Sequence, residues 1–449
     1  MGFWKSDRVT PAHVIIIGFL LLIFAGTALL MLPFATKGPG SASFADALFT
    51  ATSATCVTGL VIHDTAQYWS GFGQAVILLL IQTGGMGVVT MALAIAMFTG
   101  QKIGLKQRWV MQESIAAPQV GGIVRMTGFI LRATVLMEGV GAALLALRFC
   151  PEMGFLKGLW NAVFHAVSAF CNAGFDLMGE GGAPFVSLSA YTGDVIVNFV
   201  IAGLIVAGGI GFLTWSDLKT HRWHVRAYRL QTKIILMMTG LLILLPAGFL
   251  FFAEFGAQRW AHLTLGERVL ASLFQAVTPR TAGFNTVELP LLGGPAQLIT
   301  ILLMLIGGSP GSTAGGFKTT TLATFFLSIR AVFQGRESVQ CFGRRLPPET
   351  LRSAVTIFTL YVALFLIGGV ALCAIDGVSM TEALFETASA VGTVGLSLGI
   401  TPSLSLASRM ILIFLMYFGR VGGLTMIYAL IAGHTRSPAQ LPQEKITVG

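Results

Sequence analysis

The chain has 449 residues, of which 55% are hydrophobic and only 10% are charged, and its mean hydropathy is +0.80. Such a composition excludes an ordinary soluble globular protein and indicates a protein that resides in a bilayer. The formal net charge of +9 is accounted for by the basic loops described below, so nucleic acid is not expected as a partner.

Eight apolar stretches are each long enough to cross a membrane as a helix, which takes about 20 residues. They lie at about 12–32, 73–98, 126–147, 193–214, 233–253, 296–327, 351–373 and 408–432. The first stretch lacks the small-residue cleavage pattern of a signal peptide, so we expect it to be retained. The chain is therefore predicted to be an all-α polytopic membrane protein.

Basic residues accumulate before the first stretch and then in every second loop. They are Lys5 and Arg8; Lys102, Lys106, Arg108 and Arg125; Lys219, Arg222, Arg226, Arg229 and Lys233; Arg330, Arg336, Arg344, Arg345 and Arg352; and Arg436 and Lys445. Because Lys and Arg stay on the cytoplasmic side, both termini are predicted to be cytoplasmic. The opposite loops are mostly acidic, which either gathers cations at an outer mouth or reflects ordinary solvated charge.

Each outward loop contains a copy of one short phrase. The copies are ALFTATSATCVTGL (47–60), AVFHAVSAFCNAGF (162–175), SLFQAVTPRTAGF (272–284) and ALFETASAVGTVGL (383–396). Each has Phe, then Ser or Thr four residues later, then Gly, and the third copy is one residue shorter. We therefore predict four repeats of span, short helix and span, at 12–98, 123–214, 233–330 and 350–432, followed by a cytoplasmic tail at 433–449.

Each short segment offers about ten helical residues, too few to cross the hydrocarbon, so it is predicted to be a re-entrant pore helix. Irregular backbone at membrane depth is tolerated where it lines a water-filled path. The repeats therefore predict eight transmembrane helices plus four re-entrant pore helices around a central pseudo-fourfold ion pore. A glycine at the end of each turn would aim carbonyls at the axis, and the helix C-termini would favour a cation.

These repeats and turns resemble the Trk/Ktr/HKT superfamily of potassium transporters, whose M1–P–M2 unit occurs four times in one chain, and the resemblance covers residues 12–432. TVGL at 393–396 is the copy most similar to the TVGYG signature of potassium channels. In plant relatives, Ser in place of the first filter glycine is associated with sodium preference, whereas this chain has Gly59. The resemblance therefore implies potassium selectivity.

By the same resemblance, four backbone triplets would supply the carbonyls that coordinate potassium, with the glycine as the best-matched member of each. They are Val57, Thr58 and Gly59; Asn172, Ala173 and Gly174; Thr281, Ala282 and Gly283; and Thr393, Val394 and Gly395. The residue missing from the third copy leaves the register of its inner sites open.

The sixth stretch places a proline and many Gly, Ser and Thr residues in the middle of a span, as LLMLIGGSPGSTAGGFKTTTLATFF. Since a regular helix disfavours this composition, residues 307–316 are predicted to unwind beneath the filter. The family has a gate loop here, matched by Gly307, Gly308, Ser309, Gly311, Ser312, Gly315 and Gly316. A merely kinked helix is the alternative. A phosphate-binding loop is excluded because Phe317 interrupts the motif.

Two basic residues lie within spans, where an unpaired charge costs about 2.5–3.5 kcal/mol. The family carries an Arg at the position of Arg420, where it would act as a barrier or gate latch; purely structural pairing is the alternative. Lys318 could tether the gate loop or extend towards the interface. Glu138, in the third stretch, is interpreted as an interhelical contact.

The remaining side chains indicate no enzyme, because the seven histidines and five cysteines form neither a catalytic cluster nor a disulfide framework. His221 and His224 lie in a basic loop and favour a surface role over a metal site. No organic cofactor is expected. Potassium is the expected ion, and the sequence leaves open whether sodium is an activator.

The function predicted is gated potassium uptake; a sodium- or proton-coupled secondary symporter is the alternative. Because the first repeat begins close to Met1, the chain resembles the KtrB-type subunit rather than the TrkH-type, which has an additional helix pair. The resemblance implies a homodimer in a bacterial cell membrane, bound to a cytosolic ring of RCK-type (KtrA-like) nucleotide-binding subunits. The loops at 102–125, 219–233 and 330–352 could dock that ring or engage membrane lipids.

Overall fold

The structure, a computed structural model, describes residues 10–99, 104–114, 122–180, 182–423 and 425–426. Its helices and strands are, in chain order, α1 (Pro11–Leu30), α2 (Phe44–Thr55), α3 (Thr65–Tyr68), α4 (Gly71–Met86), α5 (Val88–Phe98), α6 (Leu105–Ser114), α7 (Ile123–Met153), α8 (Phe155–Phe170), α9 (Val195–Gly209), α10 (Phe212–His221), α11 (Leu230–Phe249), α12 (Leu265–Val277), α13 (Gly294–Leu305), α14 (Thr319–Phe333), β1 (Gln340–Cys341), β2 (Arg344–Arg345), α15 (Pro348–Asp376), α16 (Met380–Gly392) and α17 (Leu406–Val421). The predicted tail at 433–449, Lys5, Arg8, Lys102, Arg436 and Lys445 lie outside the described residues.

The first helix of each repeat is continuous. These helices are α1, α7, α11 with the π turn Leu250–Glu254 that extends it, and α15, and each is long and apolar enough to cross a membrane alone. In each, only 28–33% of the most apolar stretch is buried inside the protein. Most of their surface is therefore available to lipid.

The second helix of each repeat is broken. Only the third was predicted to unwind, so the structure corrects the prediction that the other three spans are continuous. The helix axis turns by 96° between α4 and α5 and by 95° between α9 and α10. The predicted span 296–327 is divided into α13 and α14, and α17 ends at Val421. Of the predicted span 408–432, residues 424 and 427–432 lie outside the described residues.

Glycine explains three of these breaks. Gly87 lies between α4 and α5 and has φ of +87°. Gly211 lies between α9 and α10, Gly422 follows α17, and both have φ of +90°. A residue with a Cβ resists this conformation, whereas glycine adopts it readily. Counting each bent pair as one span gives six in the described part of the chain by length and composition, and α13 and α14 are shorter apolar helices.

The re-entrant helices α2, α8, α12 and α16 follow the four continuous helices. Three begin with a side-chain cap, from Ser43, Thr264 and Ser379, and the last two are complete capping boxes. The repeated phenylalanines, at positions 49, 164, 274 and 385, are at most 1% exposed. They anchor each re-entrant helix in the hydrophobic core.

The first and fourth repeats meet and close the fold. The Tyr417 hydroxyl donates to the Ile16 carbonyl at 2.8 Å, and Arg409 pairs with Asp46 at 3.1 Å. Helix α17 also packs against α2. Four re-entrant helices therefore surround one axis, as the repeats predict. Between α14 and α15, β1 and β2 form a short antiparallel hairpin within the basic loop.

Candidate functional site

The four glycine turns meet in a closed ring. A Cβ built on Gly59 would lie 2.4 Å from the Ala173 carbonyl oxygen, one on Gly174 2.5 Å from that of Ala282, one on Gly283 2.4 Å from that of Val394, and one on Gly395 2.3 Å from that of Thr58. Each glycine thus faces the next repeat's backbone, and the fourth faces the first. We call residues 57–59, 172–174, 281–283 and 393–395 the loop ring.

Two residues of each triplet have positive φ. The glycines have φ of +67° to +93°, and the residues two positions earlier, Val57, Asn172, Thr281 and Thr393, have φ of +54° to +68°. For β-branched residues this conformation is rare and costs about 1–3 kcal/mol. Backbone strain of this kind is typical of functional sites, and these first members were not identified by sequence as strained.

The Ser or Thr of each phrase holds the turn in place. In the first and fourth repeats, Ser53 and Ser389 accept hydrogen bonds from the N–H of Gly59 at 3.1 Å and of Gly395 at 3.0 Å. In the second and third, Ser168 and Thr278 donate to the carbonyls of Phe175 and Phe284. The repeat phrase revealed these residues, but their role required the structure.

The shorter third copy keeps its place in the ring. In the other copies, the N–H of the middle residue bonds the carbonyl five positions back, as from Thr58 to Ser53. In the third copy, the Ala282 N–H bonds the Thr278 carbonyl, four positions back. The missing residue is therefore absorbed in the turn before Thr281, and Gly283 faces the carbonyl of the next repeat as the other glycines do.

A cavity of about 420 Å³ opens on the side of the ring that the charge bias predicts to be outside, and all four ring glycines line it. Asp64, Asp176 and Glu288 also line it. The Asp64 carboxylate accepts hydrogen bonds from the backbone N–H groups of Ala66, Gln67 and Phe185. Burial raises the pKa of Asp176 to about 7, opposed by the hydrogen bond from the Met178 N–H and assisted by Asp64.

The backbone from 306 to 318 is not helical, and we call it the unwound segment. Its ends are joined by a parallel bridge between Ile306 and Phe317, and the Thr319 N–H donates to the Gly308 carbonyl at 3.1 Å. The predicted unwinding at 307–316 lies within it. The segment is a loop folded back on itself within the sixth stretch.

The unwound segment contacts the ring directly. Thr313 Oγ1 donates to the Phe170 carbonyl and lies 2.9 Å from the Asn172 side-chain oxygen. A Cβ built on Gly315 would lie 2.1 Å from Thr393 Oγ1. The segment therefore lies against the inner members of the second and fourth triplets. Thr313 was not among the predicted residues.

Other contacts attach the segment to the second repeat. The Ser309 N–H donates to the Gly209 carbonyl at 2.9 Å, and the Phe212 N–H donates to the Gly311 carbonyl at 2.9 Å. A Cβ on Gly308 would meet Ala314 at 2.4 Å. Small residues are thus required for the segment's own fold as well as for its docking.

Arg420 connects three parts of this inner region. Its guanidinium donates to the carbonyls of Thr313 in the unwound segment and of Gly84 and Gly85 at the end of α4. Lys318 Nζ donates to the carbonyls of Ala314 at 2.8 Å and Gly315 at 3.2 Å. Both cations thus donate hydrogen bonds to backbone carbonyl oxygens, and Arg420 of the fourth repeat joins the first repeat to the third.

A second fourfold pattern underlies these contacts. It reads GGMG at 84–87, GGIG at 208–211, GGSPG at 307–311 and GRVG at 419–422. Cβ atoms on Gly84, Gly208 and Gly419 would lie 1.9, 1.9 and 2.2 Å from carbonyl oxygens at the ends of α2, α8 and α16. The pattern was available in the sequence and would have predicted the helix breaks. In the fourth copy, Arg420 replaces the second glycine.

Glu138 makes the interhelical contact predicted for it. Its carboxyl group accepts a hydrogen bond from Gln82 Nε2 of α4 at 3.2 Å and lies 3.9 Å from Cys171 Sγ, directly before the second triplet. All five cysteines are free. Among the described residues, no group of three or more His, Cys, Asp or Glu side chains could hold a metal ion.

Comparison with known proteins gives one consistent result. The family model described as "TrkH: Cation transport protein" matches residues 7–437. The chain is 37% identical to the potassium/sodium uptake protein NtpJ of Enterococcus hirae, with 98% of both chains covered. It is 39% identical to the Ktr system potassium uptake protein B of Bacillus subtilis, with 99% of this chain and 98% of the relative covered.

The fold has a counterpart among solved structures. The potassium transporter TrkH from Vibrio parahaemolyticus superimposes with a TM-score of 0.73 at 19% identity, covering 96% of this chain and 86% of that one. At this identity the likeness establishes the fold alone. It confirms the prediction of an all-α membrane protein with re-entrant helices.

Proposed function

The chain belongs to the TrkH family of cation transport proteins, which are ion transporters and not enzymes, and from this premise we propose that it takes up potassium through a gated pore. The loop ring would be the selectivity filter, and the unwound segment would be the gate. The protein is a multi-pass membrane protein, and we place it in the cell membrane of a bacterium with both termini cytoplasmic.

The observation that carries the proposal is the closure of the loop ring. Four backbone turns that approach one another this closely can replace the hydration shell of a monovalent cation with carbonyl oxygens. The hydroxyls of Thr281 and Thr393 support the same interpretation, since each is buried without a hydrogen-bond partner among the described residues. They are suited to face an ion or its water at the inner edge of the ring.

The four glycines favour potassium over sodium. Any side chain at these positions would displace a carbonyl of the adjacent repeat and alter the size of the ring. The relative NtpJ is named for both potassium and sodium, so we retain sodium as a candidate activator. A sodium- or proton-coupled symporter is the second candidate function.

The inner contacts support the gate. Thr313 and Gly315 lie against the second and fourth triplets, and Arg420 attaches the segment to α4. This arrangement obstructs the inner side of the ring and adds a positive charge there, which raises the barrier to a cation. Release of the segment from Asn172 and Arg420 would open the path.

The assembly that we propose is a homodimer with one pore per protomer, docked on a cytosolic ring of nucleotide-binding RCK-type subunits. The β1–β2 hairpin supports docking, because Arg344 and Arg345 are exposed there and the surrounding loop is strongly basic. No soluble sensor domain is present in the described residues, so regulation by nucleotide would come from the partner.

Cation uptake into proteoliposomes that contain the purified protein tests the proposal. We expect potassium, and rubidium as its surrogate, to enter down an imposed gradient and to compete with each other, whereas sodium competes weakly. Uptake that requires a fixed ratio of sodium or protons to potassium would instead establish the symporter. Liposomes with Gly59→Ser protein test the filter under the same conditions.

Deletion of residues 309–314 tests the gate. We expect the shortened protein to take up potassium faster than the wild type in the absence of the cytosolic partner, since the contacts of Thr313 are lost. A matched substitution, Ser338→Ala in the distant basic loop, should leave uptake unchanged. If the deletion variant elutes as a folded protein in gel filtration and shows wild-type uptake, the segment is not the gate.

A further inference from the structure

We propose that the groove between α7 and α10 is a binding site for one anionic phospholipid. The groove opens to the protein surface, and its volume is about 1120 Å³. This volume exceeds the 300–1,000 Å³ of a typical drug-sized ligand pocket. Arg125, Arg132 and Lys219 line it together with apolar side chains that include Phe129 and Leu136. A basic head site and an apolar extension are thus joined in one groove.

The three basic side chains are exposed, and none forms an ion pair with a carboxylate in the described part of the chain. Lys219 Nζ instead lies 5.1 Å from the ring centroid of Phe129 and so connects α10 to α7. Two Arg and one Lys that line one groove without an acidic partner favour an anion, and Arg in particular matches the oxygens of a phosphate.

The positions along α7 distinguish a lipid from a soluble anion. Arg125, Phe129, Arg132 and Leu136 follow one helical face at intervals of four and three residues. Arg132 therefore lies about 10 Å deeper along the helix axis than Arg125. Next to it, Val135 and Leu136 are 69% and 65% exposed, as expected for a lipid-facing surface.

An arginine on a lipid-facing surface is costly without a counter-charge. A lipid phosphate at the level of Arg125 and Lys219 supplies this counter-charge. Arg132 can reach it by extending its side chain towards the interface. The charge bias of the loops places this end of α7 at the cytoplasmic leaflet, where anionic lipids concentrate. The acyl chains would then lie along Phe129 and Leu136.

The site is adjacent to the unwound segment. Helix α10 begins at Phe212, whose N–H holds the Gly311 carbonyl, and the groove contacts the same helix at Trp215 and Lys219. A bound lipid would therefore hold α10 against α7 at the base of the segment. Lipid binding itself does not depend on the transport activity proposed above.

Lipid retention by the purified full chain tests the site. Protein washed in detergent with equal amounts of phosphatidylglycerol and phosphatidylcholine is examined by native mass spectrometry. We expect wild type to retain one phosphatidylglycerol, and Arg125→Gln/Arg132→Gln/Lys219→Gln to bind it about a hundredfold more weakly, at roughly fivefold per basic residue. Arg125→Lys/Arg132→Lys should retain it, and Arg336→Gln, a basic residue outside the groove, should behave as wild type.

Three results would overturn the proposal. The first is that the triple variant elutes at the wild-type gel-filtration volume and retains as much lipid as the wild type. The second is that the Arg336→Gln control loses the lipid. The third is that millimolar inorganic phosphate displaces the lipid, which would indicate a site for free anions. A triple variant that keeps the lipid but no longer binds the cytosolic partner proposed above belongs to the first of these results, and it would assign the groove to protein docking.

Discussion

The third repeat and its three counterparts solve the same structural problem in different ways. In the first, second and fourth repeats, a glycine of the second helix packs directly on the last carbonyls of the re-entrant helix, as Gly84 does on Thr55. In the third, Gly307 packs on Gly315 of the unwound segment instead. The contact that supports the ring in the other repeats is here made to the unwound segment.

The same repeat also differs in its turn, which is one residue shorter, yet Gly283 occupies its place in the ring. The four repeats are therefore symmetric in the loop ring, where they touch. The third repeat departs from this symmetry in the turn before Thr281 and in the unwound segment. In the function proposed above, ion selection and its control would therefore lie in separate parts of one scaffold. Each prediction below perturbs either the symmetric or the asymmetric part.

The largest effect is expected in the symmetric part. Gly59→Ser places a side chain at φ of +90° and a Cβ 2.4 Å from the Ala173 carbonyl oxygen, with backbone strain of up to about 3 kcal/mol. We expect potassium uptake to fall about a hundredfold, with weaker discrimination against sodium, in the proteoliposome assay. Gly154→Ser is the control, since φ is +84° there but no atom lies within 4 Å. Equal losses in both variants would contradict a specific role for the ring.

An intermediate effect of opposite sign is expected in the asymmetric part. Thr313→Val removes the hydrogen bonds to Phe170 and Asn172, each worth about 1 kcal/mol. Basal uptake without the cytosolic partner should rise about tenfold, measured as initial rubidium influx. Thr300→Val is the matched control, because in the described part of the chain that hydroxyl bonds only within its own helix, to Ala296. An unchanged or lower rate in the folded Thr313 variant would show that this contact does not hold the segment closed.

The smallest effect is expected in the outer cavity. All four ring glycines line it, but its acidic side chains are Asp64, Asp176 and Glu288. Because the pKa of Asp176 is raised to about 7, the carboxyl group is ionised at pH 8 and neutral at pH 6. At subsaturating potassium, uptake should fall about twofold to threefold as the pH is lowered from 8 to 6, because one partly screened negative charge is lost. Asp176→Asn should give the lower rate at both pH values, and Glu288→Gln should keep the pH response. A pH response that persists in Asp176→Asn would assign it to another group.

Much of the symmetric part could be predicted from the sequence. The phrase around Phe49 and its three copies marked the re-entrant helices, the turn glycines and the fourfold order, because a repeated unit requires a repeated pattern. The composition of residues 307–316 also indicated that a regular helix would fail there. These features are local, and each is encoded within a few adjacent residues.

Hydropathy alone did not reveal the helix breaks, although the repeated glycine pattern marks them, and no sequence pattern revealed the partners of Arg420. Hydropathy stays high across Gly87 and Gly211, so a search for apolar stretches joins two helices that lie at about 95° to each other. Arg420 bonds carbonyls of residues distant in sequence, Gly84, Gly85 and Thr313. Backbone acceptors carry no residue-type signal, so only the folded chain reveals them.

The contact of Gly395 with the Thr58 carbonyl has a consequence for biosynthesis. The last repeat to leave the ribosome supplies the final quarter of the circle, so the earlier three must wait in the bilayer as an open arc whose strained turns lack one neighbour. Contacts between such distant parts of a chain form late. A polypeptide truncated within its fourth repeat should therefore be recognised by quality-control proteases as misassembled, although most of its helices have already inserted.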